Sequence, residues 1–218
     1  MTSPTELLIV GAGAQAKYVL EICALLGDML VLGLVDVADN PVIWGKPRFG
    51  THVLGGLEVL AQWSRTGGAA IVCTGDNLHK QQLTEQVTRL GYQLVNRIHP
   101  RAVIATTAQI GEGTIINAGA VVQPYARLGR GVMIHAGVVV EHDDHIEDYV
   151  NLAPGVRLAG WVTVKQRAYV YTGASVIPSK TIGADAQVGA GAVVINDVPD
   201  RAVVVGVPAR IVKYLDLG

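Results

Sequence analysis

Three of the chain's six histidines and five of its eighteen acidic residues fall within residues 132–151, VMIHAGVVVEHDDHIEDYVN. His142 and Asp143, adjacent at the centre of this run, are the residue types of acid–base chemistry. A neutral imidazole can take a proton near neutral pH, and a neighbouring carboxylate can fix its tautomer. Two further groups of polar and glycine residues lie near the N-terminus, in GAGAQAK (11–17) and TGDN (74–77). What these residues can do depends on the elements that hold them.

The elements around His142 show as a repeat. Every sixth residue from Ile104 to Val194 is Ile, Leu or Val, sixteen positions without a slip. Two residues before each stands, as a rule, a small or β-branched residue, for instance Ala102, Ala108, Thr114, Ala120, Ala126 and Ala192. Asp144 and Lys180 depart from this rule. Six residues make about 1.7 turns of an α-helix, which would scatter the aliphatics around its circumference. A parallel β-helix suits the period: six residues give a short strand and a corner, three such units give a triangular coil, and the pattern returns after eighteen. The composition agrees, because 26 glycines and a single Phe leave small and branched aliphatics to fill a narrow interior.

In that register His142 lies at or near a corner, two residues beyond the inward Val140, and Gly160 occupies the same position one coil on. Strands pair about 4.8 Å apart, so a glycine backbone faces the imidazole with no Cβ to block an approaching group. His135 is seven residues earlier on the preceding face, and His145 directly precedes the inward Ile146. No metal is expected at HDDH, since consecutive residues at such a corner diverge too widely to close a tetrahedral site.

Residues 1–98 read differently. LLIV followed by GAGAQAKYVLEICALLG predicts a buried strand, a tight turn and a helix with Val19, Ile22, Cys23 and Leu26 on one side. VLGLVDV and AAIVCTGDN predict two more strands, and a helix carrying Leu83, Val87 and Leu90 follows. This is a small, doubly wound, Rossmann-like α/β domain, followed over residues 99–218 by the β-helix and a C-terminal extension. Ligands to such sheets bind at the carboxyl ends of the strands, which gathers Gly11, Gly13, Asp36, Gly75, Asp76 and Asn77 around one crevice. Ala16 stands where a third glycine often completes the dinucleotide fingerprint. Cys23 and Cys73 lie in apolar segments and are expected as buried, reduced thiols. With net charge -1 and neither a run of 18 apolar residues nor a basic leader, the chain is expected to be cytoplasmic, bound to neither membrane nor nucleic acid.

Nearly the whole chain resembles the NeuD/PglD-type sugar acyltransferases, which include sialic acid O-acetyltransferases and bacterial nucleotide-amino-sugar N-acetyltransferases. The resemblance rests on GAGAQAK, VLGGLEVL, TGDN, IHPRAVI, VVEHDDHIEDYVNLAPGVRLAG and VVGVPARIV, in that order. It implies that the β-helix is left-handed and that three chains assemble with acetyl-CoA in the grooves between them. It also implies that the α/β domain holds a nucleotide-linked amino sugar. The family's catalytic histidine falls on His142, its orienting carboxylate on Asp143, and the glycine whose amide faces the acetyl carbonyl on Gly160. Asn151, Gly160, Ala174, Gly206, Pro208 and Arg210 fall on the acetyl-CoA side. Three positions depart from the family pattern: Gln15 replaces a loop histidine, His135 a common Asn, and Asn151 a common His. Gln15 and His135 are expected on the sugar side, so these changes bear on the acceptor.

The expectation is N-acetylation of a UDP- or GDP-linked 4-amino-deoxy sugar with acetyl-CoA as co-substrate. The alternative is O-acetylation of a sugar such as sialic acid. An NAD-dependent dehydrogenase or nucleotide-binding sensor would leave sixteen repeats without a task, and a non-enzymatic scaffold would consume no acetyl-CoA.

Overall fold

The computed structural model describes residues 5–63 and 68–216. The chain forms two compact units, one ending at Pro100 and the other beginning at Arg101.

The first unit contains β1 (Thr5–Val10), α1 (Ala16–Leu26), β2 (Met29–Val35), β3 (Pro47–Arg48), β4 (Thr51–Gly55), α2 (Glu58–Trp63), β5 (Ala69–Val72), α3 (Asn77–Arg89) and β6 (Gln93–Leu94). The sheet order is β3-β4-β2-β1-β5-β6. All neighbours are parallel except β3 and β4. Leu7, Leu8, Ile9 and Val10 of β1 are all buried, as a continuous apolar run must be in a strand covered on both faces. Helix α1 turns Ala16, Val19, Ile22 and Cys23 inward and stops at Gly27, whose φ of 62° is left-handed. Helix α3 turns Leu83 and Val87 into the core formed by Leu8, Val10, Val35, Leu60 and Val72. Strand order reverses across β1, so the turns after β1 and β5 open beside each other, the usual place for a ligand cleft in such a sheet.

The second unit is the left-handed parallel β-helix. Two-residue strands recur every six residues from Val103–Ile104 to Val193–Val194. Each pairs in parallel with the strand eighteen residues on, as in Val103↔Val121↔Val139↔Arg157↔Ser175↔Val193. A second face stacks Gln109, Arg127, His145, Thr163 and Thr181. The third stacks Ile115, Met133, Asn151, Tyr169 and Gln187 and is continued by Ala202–Val205. The stepped aliphatics are buried from Ile116 to Val194, while Ile104 and Ile110 of the first coil are half-buried. Strand Ala202–Val205 then folds back into the antiparallel, exposed strand Arg210–Tyr214. Among the described residues no helix is long and apolar enough to cross a membrane.

Candidate active site

The register that stacks Val139 on Arg157 also brings His142 and Gly160 together at one corner. A Cβ built on Gly160 would stand 2.7 Å from both Nε2 and Cε1 of the His142 ring, closer than side chains tolerate, so only glycine admits the imidazole here. His142 Nδ1 lies 2.9 Å from Asp143 Oδ2, with the two side chains 42% and 41% exposed. A carboxylate there favours the tautomer with the proton on Nδ1 and leaves Nε2, on the Gly160 side of the ring, as a proton acceptor. Asp143 takes a left-handed φ of 60°, and its counterpart one coil on, Trp161, takes 59°. The Trp161 N–H donates to the His142 carbonyl at 3.2 Å, and its indole meets the imidazole edge-on at 4.5 Å between centroids. One exposed base therefore has an orienting carboxylate on one nitrogen, a glycine backbone against the other and an aromatic wall beside it.

The two other acidic residues next to His142 and Asp143 are set differently. Glu141 Oε2 accepts from the His142 N–H at 3.3 Å. Asp144 is wholly buried, and burial pushes its carboxyl up to about 7 although backbone N–H groups of Val162 and Glu141 donate to it. His145 points outward from the next strand. Asp144 and His145 thus leave the corner in opposite directions, and among the described residues no three His, Cys, Asp or Glu side chains converge as metal ligands.

In the first unit a cleft of about 510 Å³ opens at the carboxyl ends of β1, β2 and β5. It is lined by Gly11 to Gln15, by Asp36 and its following loop, by Arg48, and by Cys73 to Gly75. Gly11 has a φ of 130°, and a Cβ on it would lie 2.5 Å from the Cys73 carbonyl oxygen, so the chain can pass here only as glycine. The loop that leads into α1 lines the cleft up to Gln15, so the positive end of the helix dipole lies beside it. Asp36 is buried and organises the rim: its oxygens accept from the Ala38 N–H (3.1 Å), the Asn40 N–H (2.6 Å) and the Trp44 indole (3.1 Å). Burial alone would raise its carboxyl. The donors from Asn40, Ala38 and Trp44, with the Arg48 charge, outweigh that and hold it below the usual range. Arg48 Nε donates to the Ala12 carbonyl at 2.7 Å, and both Arg48 (4.7 Å) and Lys17 (4.9 Å) lie over the Phe49 ring. A helix N-terminus with a cation at its rim suits a negatively charged group. In the cleft wall, burial pushes the Cys73 thiol up to about 12, and Lys80 of α3, also buried, is brought down to about 8.

Solved structures share this fold over nearly their whole length. PerB from Caulobacter crescentus, in complex with CoA and GDP-perosamine, is 36% identical with a TM-score of 0.89, covering 98% of this chain and 99% of that one. This chain belongs to the NeuD/PglD-type sugar acyltransferase family. The acetyltransferase domain of PglB from Neisseria gonorrhoeae, in complex with acetyl coenzyme A, is 32% identical with a TM-score of 0.89, covering 96% of this chain and 100% of that domain. Among curated relatives, GDP-perosamine N-acetyltransferase of Escherichia coli is 35% identical over 127 residues, 58% of this chain and 49% of that protein. The chain spans about half or less of the length of the first curated relatives it matches. No family model matches the chain.

Against the family pattern, the candidate residues divide by environment. His142, Asp143 and Gly160 form one constellation, and Gly11, Gly13, Gln15, Asp36 and Gly75 line one cleft. Gln15 Oε1 is buried there with no hydrogen-bond partner. Asp76 and Asn77 are not among the residues lining the cleft. Asp76 accepts from the His79 N–H at 2.7 Å as the cap of α3, and Asn77 is buried in the helix's first turn. His135 and His142 stand at opposite ends of the Val139–Val140 strand, and His135 is buried. Asn151 is wholly buried on the third face with neither amide atom hydrogen-bonded. Ala174 faces the coil interior, its N–H given to Tyr171 and its carbonyl taken by Arg157, so no part of it is available to a ligand of this protomer. Gly206, Pro208 and Arg210 lie at the exposed end of the prism.

Sequence reasoning passed over Trp161, Arg48 and the role of Asp144. The first had a signal, one coil from Asp143. The second had none, because β3 brings it to Ala12 from 36 residues away.

Proposed function

We propose that this protein is an acetyl-CoA-dependent N-acetyltransferase acting on a nucleotide-linked 4-amino sugar, with GDP-perosamine as the acceptor to try first. The observation that carries the reading is the His142–Asp143–Gly160 corner, an exposed imidazole with a carboxylate on Nδ1 and a glycine against its ring. Likeness to PerB over 99% of that chain, in complex with CoA and GDP-perosamine, supports the acceptor class.

The amine attacks the thioester carbonyl carbon, the new C–N bond forms, and the carbonyl π pair moves onto oxygen. His142 Nε2 takes the proton that the amine must lose, a service worth about 10²- to 10⁴-fold. Asp143 stabilises the imidazolium that results. The Gly160 N–H donates to the oxyanion, and loss of such a donor typically costs on the order of 10²-fold. Collapse breaks the C–S bond, and the imidazolium returns its proton to the CoA thiolate. No acyl-enzyme is needed, and Cys73, the buried thiol whose carboxyl-end position is nearest a ligand cleft, is held protonated by its burial.

The nucleotide is assigned to the cleft of Gly11, Gly13, Gln15, Asp36 and Gly75, its phosphates toward the start of α1 and Arg48. We assign a homotrimer. The face carrying His142 exposes Val103 and half-exposes Val121 and Val139, an apolar column suited to a second copy of the prism. Gly206, Pro208 and Arg210 are assigned to the CoA end of the grooves so formed. Cytoplasmic action agrees with two buried free thiols.

Purified protein is incubated with acetyl-CoA and GDP-perosamine or a UDP-4-amino sugar, following thiol release and product mass. Transfer of one acetyl group is expected, with kcat at least about a hundredfold lower in His142→Ala. Near wild-type turnover in that variant, or nicotinamide reduction in place of thiol release, overturns the reading.

A further inference from the structure

Asp144 breaks the rule that the residue two before each stepped aliphatic is small or β-branched. Its column runs Ala108, Ala126, Asp144, Val162, Lys180 and Val198 at eighteen-residue spacing. A carboxylate in the interior of a β-helix is costly to bury unless backbone donors meet it. Here they do: Oδ2 accepts from the Glu141 N–H at 2.9 Å, and Oδ1 from the Val162 N–H at 2.8 Å. Glu141 immediately precedes His142, and Val162 is two residues beyond Gly160. The neighbouring corners along the chain close on themselves, Val156 N–H onto Ala153 at 3.3 Å and Ala168 N–H onto Lys165 at 3.2 Å. At 159–162 the corresponding N–H, that of Val162, goes to the coil below instead.

We propose that Asp144 is a positioning residue that ties the corner carrying His142 to the corner carrying Gly160, setting the approach of the general base to the oxyanion donor. One carboxylate spans the two coils with one oxygen on each corner. Backbone and ring contacts join the same two coils: the Trp161 N–H donates to the His142 carbonyl at 3.2 Å, the His145 N–H to the Val162 carbonyl at 2.9 Å, and the rings of His142 and Trp161 meet edge-on. This assignment rests on the roles given to His142 and Gly160 above and goes beyond them, since Asp144 touches neither substrate nor the imidazole's hydrogen-bonded nitrogen.

The test is Asp144→Ala, which restores the small residue this column holds at Ala108 and Ala126 and so retains the coil's own pattern. Thiol release with acetyl-CoA and GDP-perosamine is measured for wild type, Asp144→Ala, His142→Ala and the double variant. The expected result is a kcat about 10- to 100-fold lower in Asp144→Ala with both KM values within about threefold, because misplacement by a fraction of an ångström acts on the chemical step. In the His142→Ala background the same substitution should change residual turnover less than twofold, because Asp144 acts through the base. A kcat within twofold of wild type in Asp144→Ala, or equal losses with and without His142, overturns the inference. If His142→Ala itself keeps wild-type turnover, the assignment of the base has failed, and the inference falls with it for that distinguishable reason. Should Asp144→Ala not fold, Asp144→Asn, which keeps one acceptor oxygen, carries the same comparison with the same criteria.

Discussion

Gly160→Ala separates chemistry from stability at a single position. The added methyl would lie 2.7 Å from Nε2 and Cε1 of His142, and 3.2 Å from Nδ1. To reach an ordinary contact of 3.4 Å the ring must retreat by about 0.7 Å, away from the N–H assigned to the oxyanion. Misplacement on the scale of 1 Å costs about 10²-fold in favourable cases, so kcat should fall by about 10- to 100-fold. The fold should not suffer. Gly160 is absent from the positive-φ positions, so an alanine is unstrained there and gains about 0.4–1 kcal/mol by restricting the unfolded chain. The obstacle is a ring 42% exposed, free to swing outward, rather than packed backbone. Thiol-release kinetics with GDP-perosamine and a urea denaturation midpoint give both quantities. A variant with turnover within threefold of wild type would refute the close approach of ring and backbone. A loss of more than about 2 kcal/mol would show that the corner, not the ring, is what glycine serves.

Other outcomes follow from the same geometry. Trp161→Gly should lower kcat several-fold while leaving stability nearly unchanged, since glycine takes the φ of 59° freely and only the edge contact, about 0.5–1.5 kcal/mol, is lost; unaltered kinetics would make the indole a bystander. Asp36→Ala and Arg48→Ala should weaken GDP or UDP binding in calorimetric titration and leave acetyl-CoA binding unchanged, whereas loss of acetyl-CoA affinity would mean the cleft serves the other substrate. Asp144 makes stability depend on pH: its folded-state pKa, raised by burial to about 7 from 3.8, means the folded chain keeps a proton that the unfolded chain has released between those values. The stability it contributes is therefore complete below about pH 4 and lost as pH rises through 7, so wild type should lose on the order of 4 kcal/mol relative to Asp144→Asn between pH 4 and 8. A pH-independent difference in urea midpoints would contradict the burial of that carboxyl.

The β-helix was legible because a solenoid asks the same thing of every sixth residue, and Ile116 to Val194 answer identically whatever lies between them. The same arithmetic puts Gly160 against His142, one coil of eighteen residues on. In the α/β unit the strand LLIV and the turn at Gly11 were legible for a local reason, a buried run followed by a required left-handed step. Asp76 and Asn77 misled, because residues after a strand look alike whether they face a ligand or cap the next helix; Asp76 does the second. Arg48 was invisible because its partner is a carbonyl 36 residues away. Asp144 could be seen as an exception but not explained, since its partners are backbone N–H groups that carry no residue identity.

Because the base and oxyanion donor proposed here are separated by one full turn of the prism, the gene encoding them can change length only in particular ways. Duplication or loss of a whole eighteen-residue coil above Val162 or below Glu141 restores every inward aliphatic to its column and leaves His142 beneath Gly160. Inserting or deleting one codon between positions 143 and 159 would instead turn the following strands a step around the coil and move the glycine away from the base. Length elsewhere in the solenoid is thus open to drift in quanta of eighteen, while the proposed roles of His142 and Gly160 hold the seventeen residues between them to their number.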